Sequence, residues 1–161
     1  SSNLKLASGI APVASLLARG VNVGLGTDGA ASNNRLDILG EMRTAALLAK
    51  GASGDARVLG AHQALRMATL DGARALGLDS SIGSLVPGKS ADMTAVELSS
   101  PETLPCFDPV SDLVYSAGRE NVTHVWVAGE PRLAERRLAT VDEEEVRARA
   151  ALWRQRIRTN P

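Results

Sequence analysis

The hydrophobic and polar positions of residues 21–36 predict a strand, a loop and a helix in succession. Apolar or β-branched residues alternate with small or polar ones over 21–25, and the run ends at Gly26. This pattern favours a short buried strand. The chain then becomes polar around Asp28 and reaches helical spacing at Leu36. We therefore predict a βα unit with Asp28 at the carboxyl end of its strand, where parallel α/β folds bind ligands.

Amphipathic helices are predicted on both sides of this strand. A helix over 9–19 is expected to end at Gly20, because glycine suits the left-handed position after a helix. A second helix is expected from Leu36, capped by Asn33 or Asn34. The apolar positions of the two helices are Ile10, Val13, Leu16 and Leu17 in the first and Leu36, Leu39, Met42, Ala45, Ala46 and Ala49 in the second.

The middle of the chain predicts a helical pair followed by an extended segment. Residues 56–77 are rich in Ala and Leu and predict two helices divided at Gly72. A Pro-Gly turn then leads into a strand through Val96 and Leu98. Three prolines make 99–109 an irregular connector.

The last part of the chain predicts a hairpin and a helix. Residues 122–128 alternate as a strand does, and a turn at 129–130 leads into a second strand over 132–139. The sequence 140–143 has capping-box spacing and predicts the start of a C-terminal helix, which Trp153 would pack against the body of the protein.

From the local pattern alone, Asp28 has two interpretations. A carboxylate at a strand end is costly to desolvate unless a cation, a metal or hydrogen-bond donors compensate it, which favours a chemical role. An aspartate here could equally cap the next helix or close an Asx-turn with Gly29. The pattern does not choose between the two.

Other polar residues near this unit either are expected to face solvent or have two possible interpretations. Residues 1–8 are expected to be the exit of a preceding strand and a loop, with Asn3 and Lys5 facing solvent. Glu41 and Arg43 could form a buried network or lie on a solvated face, and no role is assigned to either.

Three runs of the sequence resemble the amidohydrolase superfamily. They are SNLKLASG at 2–9, GLGTDGAASNN at 24–34 and GEMRTAALLAK at 40–50. Within the superfamily they look most like the methylthioadenosine/S-adenosylhomocysteine deaminases and their triazine-hydrolase relatives. The resemblance implies that Asp28 ends the last barrel strand, binds the metal, contacts the substrate and shuttles a proton. It therefore makes Asp28 the candidate catalytic, metal-binding and substrate-binding residue.

The resemblance also implies the fold. It is an α/β fold: the C-terminal part of a metal-dependent (β/α)8 barrel, then a small β-sandwich, then a C-terminal helix. The corresponding ranges are 1–82, 83–139 and 140–161. A complete barrel needs about 250 residues, whereas this chain has 161. We expect the C-terminal portion of a longer enzyme, whose upstream half carries the histidine ligands and a Glu general acid/base.

The activity implied by the resemblance is hydrolytic deamination. Ammonia would leave C6 of the adenine ring of methylthioadenosine or S-adenosylhomocysteine, a small-molecule nucleoside, with one divalent metal, most often zinc, in each full-length subunit. Oxidised-guanine deaminases and triazine chlorohydrolases are the enzymatic alternatives. For the isolated chain we predict neither metal binding nor deaminase activity, because a zinc site takes three or four ligands.

Two hypotheses of other classes remain. The glycine-rich stretch 24–34 could cradle a phosphate in a non-catalytic binding module. It contains no Lys-Ser or Lys-Thr pair, however, and Asp28 at its centre would repel an anion. The chain could also be a structural part that folds only with its missing half.

Composition and charge exclude several classes of function. The 18 Lys and Arg balance 18 Asp and Glu, so nothing supports a nucleic-acid partner. No apolar run approaches the ~18 residues of a membrane span. The single cysteine, Cys106, fits a reducing cytoplasm and is expected to be a structural thiol. His62 and His124 lack metal-ligand spacing. A homo-oligomer is expected, as is common for such enzymes.

Overall fold

The computed structural model describes residues 1–159, which form helices and one small sheet. The helices are α1 (Ser2–Lys5), α2 (Val13–Ala18), α3 (Ile38–Ser53), α4 (Ala61–Ala68), α5 (Leu70–Ala75), α6 (Pro109–Tyr115) and α7 (Glu143–Thr159). The strands are β1 (Met93–Val96), β2 (Val122–Val127), β3 (Glu130–Ala134) and β4 (Arg137–Leu138). Single 3₁₀ turns lie at Pro101–Thr103 and Arg119–Asn121.

The main core lies between α3, α4 and α6. Met42 on α3, Met67 on α4 and Val114 on α6 are at most 1% exposed, and Leu59 closes the cluster from the loop before α4. Burying each of these side chains contributes about 1.5–3 kcal/mol. This core fixes α3, and α3 in turn supports the loop that carries Asp28.

The strand predicted over residues 21–26 is absent. The segment has no regular secondary structure, and Val21 is 45% exposed. The physical reason is that a strand needs a neighbour to share its ladder of hydrogen bonds. Among the described residues no strand lies beside this segment; instead the Leu25 amide donates to the Met67 carbonyl at 2.9 Å.

The first two helices differ from the predicted pattern in extent. α1 occupies residues expected to be a strand exit and loop, and α2 begins only after Pro12. Gly20 does end α2 as predicted: its φ is +73°, and its amide donates to the Leu17 carbonyl at 3.0 Å. A left-handed position of this kind is one that glycine adopts without strain.

The predicted cap of α3 was wrong. Neither Asn33 nor Asn34 caps the helix; Asp37 does, because its carboxylate accepts the Gly40 amide at 3.1 Å. Leu36 precedes the helix with a left-handed φ of +48°. The helix therefore begins two residues later than its apolar spacing indicates.

The division between α4 and α5 lies at Thr69 instead of Gly72. The Thr69 hydroxyl donates to the Leu65 carbonyl at 2.7 Å, and the residue leaves helical geometry at φ −128° and ψ −99°. Threonine competes in this way with the helical ladder. Gly72 lies inside α5, and its Cα is the backbone atom that a Cβ on Gly24 would approach to 2.9 Å.

One antiparallel sheet follows, with strand order β1-β2-β3-β4. The predicted strand at 122–128 is confirmed as β2, and Ala128 and Gly129 form its turn with positive φ. The second predicted strand is two strands, since a tight turn at Glu135 and Arg136 separates β3 from β4. The connector 99–109 is irregular as predicted, apart from the 3₁₀ turn at Pro101–Thr103 and its last residue, Pro109, which begins α6.

The C-terminal helix forms, but its predicted cap and packing were wrong. Asp142, which accepts the Glu144 amide at 2.9 Å, begins α7 in place of a capping box. Trp153 is 60% exposed, and Ile157 is 67% exposed. Among residues 1–159 no apolar surface covers them; the Arg156 guanidinium lies 5.5 Å from the centre of the Trp153 ring. No helix in this part of the chain has the length and apolar character needed to cross a bilayer.

Candidate active site

Asp28 follows the extended segment and stands at a left-handed φ of +63°. Aspartate tolerates this conformation better than most residues. Three donors reach its carboxylate: the Ser32 hydroxyl at 2.5 Å and the Ser2 hydroxyl at 2.7 Å, both to Oδ2, and the Gly29 amide at 2.8 Å to Oδ1. Asp28 does not cap α3, so the helix-cap interpretation is wrong.

These hydrogen bonds favour the ionised form of Asp28. The hydroxyls of Ser32 and Ser2, followed by the Gly29 amide, lower the pKa of Asp28 from its ordinary value of 3.8 to about 2. A carboxylate at either value is ionised at neutral pH, so the hydrogen bonds mainly orient the group and keep it charged under more acidic conditions.

Asp28 lines an open pocket of about 270 Å³. The pocket is walled by the backbone of 23–27, by residues 9–11 and by α3. Among the described residues, Asp28 and Glu41 are its only charged side chains, and much of its remaining surface is apolar. A concave, mainly apolar site with a few polar groups is typical of small-molecule binding.

The loop after Asp28 is held by a buried asparagine. Asn33 is 4% exposed, and its Oδ1 accepts the amides of Arg35 and Leu36, each at 3.1 Å. Its Nδ2 donates to Glu41 Oε1 at 2.7 Å. The side chain thus has partners on both ends and fixes the turn between Asp28 and α3.

Glu41 belongs to a buried network and not to a solvated face. It is 8% exposed, and its Oε2 lies 2.5 Å from the Ser1 nitrogen. Burial disfavours the charge of Glu41, and the hydrogen bond from the Asn33 side chain opposes this by lowering its pKa. Arg43 points elsewhere and donates to the carbonyls of Val114 and Ala117, joining α3 to α6.

Comparison with known proteins decides the family. Residues 1–132 match the model of the amidohydrolase family. The chain belongs to this family. The resemblance inferred from the sequence motifs is thereby confirmed, including the run through Asp28.

The relatives of this amidohydrolase chain are deaminases and a chlorohydrolase. A 5-methylthioadenosine/S-adenosylhomocysteine deaminase of Teredinibacter turnerae is 50% identical over 156 residues, which is 97% of this chain and 35% of the relative. A zinc-bound adenosine deaminase from Xanthomonas campestris has a TM-score of 0.94 and 52% identity, covering 98% of this chain and 36% of that one. A zinc-bound atrazine chlorohydrolase from Arthrobacter aurescens has a TM-score of 0.85 and 31% identity, covering 94% and 34%. The chain spans about a third of the length of the curated relatives it matches.

A complete metal site is not found in the part of this amidohydrolase chain that the structure describes. Among residues 1–159, no three His, Cys, Asp or Glu side chains form a group that could hold an ion. His62 is exposed on α4, and His124 stacks on Trp126 in β2 with ring centres 5.3 Å apart. The ionised, partly solvent-facing Asp28 carboxylate fits the role of one zinc ligand, and the other ligands would have to come from residues outside this chain.

Three residues of this site were not assigned a role from the sequence. Ser32 lies four residues after Asp28, a spacing that could have indicated contact within one loop. Glu41 lies on the same helical stripe as Ala45, which could have indicated burial. Ser2 lies 26 positions from Asp28, and no local pattern indicates that contact.

Proposed function

We propose that this amidohydrolase chain is the C-terminal portion of a zinc-dependent hydrolytic deaminase that acts on methylthioadenosine and S-adenosylhomocysteine. The observation that carries the proposal is the Asp28 carboxylate, which accepts three hydrogen bonds and lines a pocket of about 270 Å³. The 50% identity to a deaminase of that substrate class supports the choice of substrate.

The proposal includes the architecture of the whole enzyme. Residues 1–82 would supply the last units of a (β/α)8 barrel, 83–139 a small β-sandwich with its connector, and 140–161 a C-terminal helix. The segment before Asp28 is compatible with this assignment, because it has no regular secondary structure here and no strand beside it among residues 1–159 that could complete a ladder. The single sheet β1–β4 would be one layer of the sandwich, whose other layer would come from the missing N-terminal part.

In the proposed mechanism, Asp28 does two things. As one ligand it helps hold a zinc ion, which when bound supplies Lewis-acid activation of water for attack on the purine ring. As a base it accepts a proton at its carboxylate. The hydrogen bonds from Ser2 and Ser32 hold Oδ2 of the carboxylate and favour its ionised form. The apolar part of the pocket wall would contact the purine ring of the substrate.

Triazine chlorohydrolysis is the second candidate. The 31% identity to an atrazine chlorohydrolase favours it. Both reactions add water to an electron-poor ring carbon and expel a leaving group, so Asp28 would serve either. An oxidised-guanine deaminase is a third variant of the same chemistry. A homo-oligomeric state and a cytoplasmic location stay predictions of the sequence.

The test uses the full-length, zinc-loaded enzyme. Ammonia release is measured with methylthioadenosine, S-adenosylhomocysteine, an oxidised guanine and 5′-deoxyadenosine, and chloride release with atrazine. We expect the first two to have the highest kcat/KM; preferential turnover of atrazine or of the guanine would contradict the proposed substrate.

A matched pair of variants tests the role of Asp28. Asp28→Asn keeps the shape but removes the charge and the proton acceptor, so kcat should fall about 10²–10⁴-fold. Asp55→Asn is the control. Asp55 forms an ion pair with Arg57 at 2.9 Å, and it does not line the pocket. An Asp28→Asn enzyme that works at the wild-type rate would remove Asp28 from the mechanism.

A further inference from the structure

One buried carboxylate on α3 holds both segments that surround Asp28. Glu41 accepts the Asn33 side-chain amide on Oε1 at 2.7 Å and the Ser1 nitrogen on Oε2 at 2.5 Å. The Glu41 side chain is 10% exposed, so water competes little for these hydrogen bonds. In a polypeptide that continues before Ser1, the same nitrogen is an amide N–H and can still donate.

The two residues held in this way are the chain neighbours of the two serines that donate to Asp28. Ser1 precedes Ser2, and Asn33 follows Ser32. The hydroxyls of Ser2 and Ser32 meet on the same oxygen, Oδ2 of Asp28, at 2.7 and 2.5 Å. The Glu41 carboxylate thus bonds to the residue next to each of the two serine donors.

The geometry assigns Glu41 a supporting role instead of a direct one. Each of its carboxylate oxygens already accepts a hydrogen bond, and Asn33 is fixed in turn by the amides of Arg35 and Leu36. Because α3 packs into the core through Met42, the position of Glu41 is set by the fold and not by the loops.

We propose that Glu41 is a positioning residue for Asp28: by holding Ser1 and Asn33, it places the Ser2 and Ser32 hydroxyls so that Asp28 presents its carboxylate to the metal. This inference rests on the proposed function of Asp28. Groups that orient a metal ligand typically change metal affinity or activity by about 10–100-fold when removed.

The first test measures zinc affinity directly in the full-length enzyme. Glu41→Gln keeps the volume of the side chain but replaces one acceptor oxygen with an NH2 donor. Because Ser1 and Asn33 both donate to Glu41, the NH2 group would face one of these donors and that hydrogen bond would be lost. Competition with a chromophoric chelator should show zinc bound about 10–100-fold more weakly. With zinc saturating, kcat should fall while KM for the nucleoside stays within about twofold.

The control separates positioning from general stability. Asp37 has the same 8% exposure and lies just before the same helix, but it contacts neither Ser1 nor Asn33. Asp37→Ala should lower the melting temperature and leave the zinc affinity unchanged. If both variants lower the zinc affinity in proportion to their loss of stability, Glu41 has only a structural role and the proposal fails.

A second test asks whether the effects of substitutions at Glu41 and at the two serines on zinc affinity are additive. A merely structural role of Glu41 would give additive effects. In a Ser2→Ala/Ser32→Ala background the proposed route from Glu41 to Asp28 is already cut, so adding Glu41→Gln should change zinc affinity by less than about twofold. An undiminished effect in that background overturns the proposal. Asn33→Ala, which breaks the same route from the loop side, should reproduce the loss seen with Glu41→Gln; normal zinc affinity in Asn33→Ala would also count against it.

The outcome is distinguishable from a failure of the proposed function. If Asp28→Asn retains zinc affinity and activity, Asp28 is not a ligand and the function proposed for it is wrong. If Asp28→Asn abolishes both while Glu41→Gln matches the wild type, only the positioning role of Glu41 is wrong.

Discussion

The amide of Leu25 donates a hydrogen bond to the carbonyl of Met67 at 2.9 Å. The segment leading to Asp28 is thereby tied to the last turn of α4, close to the boundary with α5. The backbones come close because Gly24 has no side chain: a Cβ on Gly24 would lie 2.9 Å from the Gly72 Cα. The position of Asp28 thus depends on the helical pair as well as on its own loop.

Gly24→Ala should destabilise the full-length protein by about 1–3 kcal/mol, because the added methyl group meets backbone that cannot move aside. Thermal unfolding measures the effect. Gly51→Ala is the control: Gly51 lies within α3 with no atom within 4 Å of an added Cβ. That variant should be stabilised by about 0.5–1 kcal/mol. Equal effects from the two substitutions would contradict the close approach at Gly72.

Asp37→Ala should cost about 0.5–2 kcal/mol of stability, because it removes the carboxylate that accepts the Gly40 amide at the start of α3. Asp37→Asn keeps an acceptor and should lose much less. Urea unfolding of the two variants and of the wild type measures both effects. Asn34→Ala, at a position first considered for the cap, should stay within about 0.5 kcal/mol of the wild type.

Cys106 should react slowly with iodoacetamide at pH 8. Its hydrogen bond with Asp112, together with burial and the charges of Asp112 and Asp108, raises the pKa of the thiol above its ordinary value. Less of the reactive thiolate is therefore present than in a free cysteine. Asp112→Asn removes the nearest charge without changing size and should speed alkylation. If the rate–pH profile does not move in that variant, the Asp112 carboxylate does not control the thiol.

The isolated 161-residue chain should bind no stoichiometric zinc, because Asp28 would supply only one of the three or four ligands that a zinc site needs, and no group of three candidate ligands lies among residues 1–159. Elemental analysis after dialysis against zinc tests this. The Asp28→Asn chain is the control and should give the same background. One equivalent of zinc in the wild-type chain alone would contradict the assignment of the remaining ligands to residues outside it.

Local periodicity predicted most of the helices and three strand regions, at β1, at β2 and over β3 and β4. The Gly20 stop, the alternation of β2 and the apolar stripe of α3 depend on neighbours within a few positions, so the sequence determines them directly. The cap at Asp37 and the break at Thr69 were missed for a different reason. In both places several polar side chains could have bonded to the backbone, and only their three-dimensional geometry decides which one does.

The family motif alone made Asp28 the candidate site residue, because the type of residue and its place in the motif are properties of the sequence. What surrounds Asp28 depends on the path of the chain. The contact from Ser2 spans 26 positions and that from Ser1 to Glu41 spans 40, and no local pattern records such distances. The missing strand has the same cause: alternation predicts an extended backbone, but a strand also needs a neighbour, and neighbours are supplied by tertiary structure.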